Sequence, residues 1–123
     1  MKDIENRADL EKLLWEFYSR LLNDPAINYI FTDVAKINLE EHMPSLTDFW
    51  EQSLLYKGSY RKNVMQVHLD LNGKERLTDE HFTIWLKHFN TTVDNLFNGA
   101  TAERAKTRAE SIATVMKIKL FAS

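Results

Sequence analysis

The sequence predicts an all-α fold, and two observations carry that prediction. Only three Gly and two Pro occur in 123 residues, too few for the many tight turns of an all-β chain. Apolar residues recur instead at the three-and-four spacing of an amphipathic helix, in four separate stretches. The length suits a single domain over residues 1–123, in which a chain of this size buries roughly two-thirds of its unfolded surface.

The first helix is predicted from about Asn6 to Asn23, with Leu10, Leu13, Leu14, Phe17, Tyr18, Leu21 and Leu22 on one stripe. Asp24-Pro25 ends it, because the residue before proline is pushed out of the α region. A connector over residues 26–32 follows. A second helix is expected from Asn38, with Glu41 placed for a capping box and Leu39, Met43, Leu46, Phe49, Trp50, Ser53 and Leu54 facing inward. Pro44 lies deep for a first-turn proline, so the start of this helix is expected to be irregular or later. Residues 56–63 read as loop, and Val64–Leu71 as a short helix closed by Asn72-Gly73. Thr78 then caps a helix reaching about Phe97, buried through Phe82, Trp85, Leu86, Phe89, Val93 and Leu96. Asn98-Gly99 stops it. Thr101 is expected to open a last helix with an Ala-rich buried stripe: Ala105, Ala109, Ile112, Ala113, Met116 and Leu120. The loops are too irregular for a plain four-helix bundle.

Composition removes several function classes. Sixteen basic and eighteen acidic residues leave a net charge of −2, with no basic block to track a phosphate backbone, so nucleic acid is not an expected partner. No apolar run approaches the roughly 20 residues of a bilayer span, and the first residues lack the apolar centre of a signal peptide. A cytoplasmic location without membrane attachment is the expectation. Zero cysteines exclude thiolate metal sites and cysteine nucleophiles. No HExxH, glycine-rich phosphate loop or GxSxG motif is present.

Four histidines remain as candidates: His42, His68, His81 and His88. Each alone reads most simply as an ordinary histidine with a backbone partner. The polar atoms placed on apolar stripes say more. Tyr18, His42 and Trp85 each bring a donor onto a face that otherwise reads as core, and His68 lies in the apolar run VMQVHLDL. An unpaired donor in a core costs about 1–3 kcal/mol. Four such groups from separate elements suggest a shared polar ligand inside an apolar pocket.

At these residues the chain resembles the truncated haemoglobins, most closely their group III. The resemblance runs through FYSRLLNDPAINYIF at 17–31, EEHMPSLTDFW at 40–50, VHLDLNGKERLTDEHFTIWLKHFNTTV at 67–93 and AERAKTRAESIA at 102–113. The spacing of His42 to His68 and the HF-x-x-WL segment at 81–86 are its most specific parts. The glycine pairs of other truncated-globin groups are missing, which fits group III. The resemblance implies a truncated globin fold, a 2-on-2 helical sandwich with short connecting helices.

It also implies a haem b cofactor with His68 on the iron, and Tyr18, His42 and Trp85 around a bound diatomic ligand. Haem contacts are expected from Phe31, Leu46, Phe49, Trp50, Val64 and Trp85, with Tyr60 and Arg61, beside Lys62, as propionate candidates. The expected function is binding of dioxygen, nitric oxide or carbon monoxide. Nitric oxide dioxygenase or peroxidase turnover would need an external reductase, because the chain has no flavin or nicotinamide module. A peroxidase-like haem enzyme and a haem-free helical sensor or partner-binding domain are the alternatives.

Overall fold

In a computed structural model of the chain, residues 1–30, 39–56 and 78–121 are described, with 39 and 119–121 by backbone alone. Four helices form the framework: α1 (Arg7–Leu22), α2 (Leu39–Leu55), α3 (Asp79–Leu96) and α4 (Ala100–Phe121). No strand occurs among the described residues. The predicted loop at 57–63, the short helix at 64–71 and the cap at Asn38 lie outside them.

The ends of α1 follow from local chemistry. The Asn6 side chain accepts the Asp9 N–H at 3.0 Å, and the Asn23 N–H closes on the Ser19 carbonyl. Beyond Pro25 the chain turns on hydrogen bonds to the Asp24 carbonyl, which places Ile27 and Ile30 in the core. Thr78 caps α3 as expected, in a capping box whose N3 partner is His81 rather than the usual Glu or Gln. Helix α2 runs unbroken from Leu39 through Pro44, so the proline neither delays nor ends it.

The start of α4 differs from the expectation. It begins at Ala100, and the group that caps it is Asp3, whose carboxylate accepts the Thr101 and Ala102 N–H groups at 2.9 and 2.8 Å. Thr101 lies inside the helix. Gly99 makes this possible: its φ is +150°, and a Cβ there would fall 2.4 Å from the Asp3 side chain. The Asn98 N–H donates to the Lys2 carbonyl, and Ile4 inserts into the core, so the N-terminal residues strap α1 to the α3–α4 turn.

Helix α1 packs on α2 and α3, and α3 packs on α4, while α2 meets α4 over a smaller area. Ala102, Ala105, Ala109 and Ala113 line the buried face of α4. These small side chains let the first half of α4 come close to its neighbours, and Met116 continues the face. At the centre Phe89 has no exposed surface and stacks between Trp50 and Trp85 at 5.0 and 5.9 Å, with the Phe17 ring edge-on at 5.2 Å. The stripes overlooked Thr47 and Thr92, both wholly buried. Each hydroxyl satisfies itself on the carbonyl four residues back, of Met43 and His88 respectively.

Candidate functional site

The polar groups that the sequence placed on apolar stripes separate into two sets. Tyr18 on α1 and Trp85 on α3 come together: both rings flank Phe17, at 5.0 and 5.6 Å between centroids. Each is half-buried and packed against the core. Burial pushes the Tyr18 phenol up to about 12. At neutral pH it is therefore an O–H donor, and the Trp85 indole is a donor by its chemistry. Two neutral donors thus border one aromatic cluster.

His42 is placed differently from the expectation of an apolar-face residue. Its side chain is exposed. The reason is the phase of α2, whose core seam is Met43, Thr47, Trp50 and Leu54. His42 begins a second stripe, one residue earlier, that continues through Leu46, Phe49 and Ser53, all half-buried. Leu46 and Phe49 are therefore apolar side chains that the core does not enclose. Phe49 packs edge-on to Trp50 at 5.4 Å and carries the Arg108 guanidinium over its ring at 5.9 Å. Trp50 is only 5% exposed, its face taken up by Phe89.

The remaining expected site residues, Phe31, Tyr60, Arg61, Lys62, Val64 and His68, lie outside the described residues. Among the described residues no group of three His, Asp or Glu side chains could hold a metal ion. No helix there is long and apolar enough to cross a membrane.

The other two histidines have structural partners that spacing did not reveal. The Thr78 N–H donates to His81 Nδ1 at 3.1 Å, so the neutral ring carries its proton on Nε2, 2.9 Å from the Tyr29 hydroxyl. His88 Nε2 lies 2.7 Å from Asp24 Oδ2. That bond, with the Ala26 N–H, holds the Asp24 carboxyl below the usual carboxylate range. Both contacts join residues more than 50 positions apart, which no local pattern encodes.

Helices α1 to α4, with a donor pair between the first and third, have the fold of a truncated globin. The crystal structure of the group III truncated haemoglobin from Campylobacter jejuni matches with a TM-score of 0.85 and 27% identity, over 98% of this chain and 95% of that one. A curated relative, the group 3 truncated hemoglobin ctb of Campylobacter jejuni subsp. jejuni, is 29% identical over 119 residues, which is 94% of this chain and 91% of the relative. No family model matches the chain. The similarity to group III truncated haemoglobins therefore holds in sequence and in fold, over almost the full length of both relatives.

Proposed function

We propose that this chain, as one truncated-globin domain, holds haem b and binds a diatomic gas at its iron. The observation that carries the proposal is the pair of neutral donors, Tyr18 and Trp85, both in ring contact with Phe17. The residues present fit a haem in a second respect. Helix α2 offers Leu46 and Phe49 on a stripe outside the core seam, which suits an apolar planar group.

When bound, haem supplies a ferrous iron able to take up dioxygen, nitric oxide or carbon monoxide. By the family resemblance His68 would hold the iron through an imidazole nitrogen; a neutral imidazole would serve when its other N–H is held by a carbonyl or carboxylate. Tyr18 keeps its proton because burial opposes the phenolate, so it donates to a ligand rather than competing for iron. Trp85, against the same Phe17 ring, is the second donor. Each donor contributes about 1.5–3 kcal/mol toward a ligand atom bearing partial negative charge. Together they slow release by orders of magnitude. Such retention suits reactive chemistry, including nitric oxide detoxification with electrons from an external reductase, better than reversible transport. His42, exposed in the first turns of α2, is the third distal residue that the family resemblance implies.

The test is to add one equivalent of haemin to the purified chain, reduce it, and record the visible spectrum before and after carbon monoxide. Uptake of haem and a shift of its bands with the gas are expected. A chain that takes up no haem, or whose reduced bands ignore carbon monoxide, contradicts the proposal.

A further inference from the structure

Between the last turn of α2 and the first half of α4 lies an open groove of about 350 Å³, lined by Ser53, Leu54, Arg104, Thr107, Arg108 and Ser111. We infer that it binds a small oxyanion, a phosphate or a carboxylate, held between the guanidinium groups of Arg104 and Arg108.

The electrostatics of α4 single out these two residues. Arg104 is the fifth residue of a helix that starts at Ala100, near the positive end of its dipole. Arg108 is one turn on, in the like-charge spacing that destabilises a helix. Four other cations in the described residues are paired: Lys2 with Asp9, Arg7 with Asp48 and Glu51, Lys106 with Asp94 and Glu103, Lys117 with Asp79. No carboxylate pairs with Arg104 or Arg108 among the described residues. The carboxylate that borders the groove, Glu103, is already bound to Lys106 at 3.0 Å. Two positive charges are thus concentrated where helix electrostatics disfavour them, without a counter-charge from the described protein.

Both guanidinium groups are also held in place. One terminal nitrogen of Arg104 donates to the Leu54 carbonyl at 3.3 Å and to the Thr101 hydroxyl at 3.2 Å, which leaves its other N–H groups available. Arg108 lies over the Phe49 ring, a contact that engages the face of the guanidinium rather than its N–H groups. Ser53, Thr107 and Ser111 add hydroxyls to the same wall. Planar forks fixed in advance, with hydroxyls beside them, match the oxygen geometry of a phosphate or carboxylate. The volume falls at the lower end for small-molecule sites.

The test is a chemical-shift titration of the isotope-labelled full chain, loaded with haem to the extent it takes it up, using inorganic phosphate and citrate in separate arms and chloride at matched ionic strength as control. Saturable shifts at the Ser53, Thr107 and Ser111 amides are expected, with a dissociation constant on the order of 1 mM or tighter for at least one probe. The arm that saturates first names the ligand class. R108Q should weaken binding about tenfold, and R108K should also weaken it because the bidentate fork is lost; both keep the helix, since Gln and Lys are good helix formers. Shifts that grow linearly with added salt, persist in R108Q or appear equally with chloride would overturn the inference. So would displacement of phosphate by haemin, which would assign the groove to the cofactor's own carboxylates.

Discussion

Phe89 ties its own helix to α1 and α2 through three rings whose centroids lie 5.0 to 5.9 Å away, and it has no exposed surface. Truncating it removes a wholly buried ring and leaves a cavity between two indoles. F89A is expected to destabilise the chain by about 3–5 kcal/mol, read from the midpoint of urea unfolding; a cost under 1 kcal/mol would mean that the stack is not the centre of the core. Tyr18 sits on the rim of the same cluster and acts through one proton. Y18F keeps the ring and removes the donor, so the dissociation of dioxygen from the haem-loaded chain should be about 10–100-fold faster in stopped-flow measurements, the equivalent of about 1.5–3 kcal/mol. Haem uptake should not change. An unaltered rate would remove Tyr18 from the ligand's surroundings.

At the scale of elements, the start of α4 depends on a carboxylate from the other end of the chain. D3A should cost about 1 kcal/mol in thermal unfolding, as for loss of a helix cap. G99A should cost more, because it adds a clash with Asp3 to an unfavourable φ. This cap also shows where sequence reading stops. The limits of α1 and α3 were legible because Asn6, Asp24-Pro25 and Thr78 act on neighbours in the chain. Asp3 acts on Thr101, 98 residues away, and no periodicity carries that. In α2 the difficulty was phase. His42, Leu46 and Phe49 follow the same spacing as Met43, Thr47, Trp50 and Leu54, one residue apart, and the buried Thr47 disguised which seam is the core. Tyr18 and Trp85 were legible as donors on apolar faces, since a polar atom on a core stripe stands out against its own helix. Their common neighbour Phe17 needed the fold.

For the whole molecule, acid tests the long-range ties together. Burial alone would raise Asp3 and Asp9, but hydrogen bonds outweigh it and hold both carboxyls below the usual range. For Asp3 these come from the Thr101, Ala102 and Ile4 amides; for Asp9, from Lys2 and the Glu5 and Asn6 amides. The folded state therefore binds fewer protons than the unfolded state as the pH approaches these groups' ordinary titration. Their contribution is complete above the unfolded carboxylate pKa, about 3.9, and is lost as pH falls through the lower folded values. Thermal stability should drop steeply below about pH 4, and more shallowly in D9N; equal slopes would contradict this assignment. The account as a whole turns on the haem and on its axial nitrogen, and the most direct measurement compares haemin titrations of the parent chain and H68A, followed at the haem absorption band. The account predicts tight one-to-one uptake by the parent chain, with H68A losing most of its affinity and regaining haem binding when imidazole is added. Equal uptake and identical reduced spectra for the two chains would contradict it.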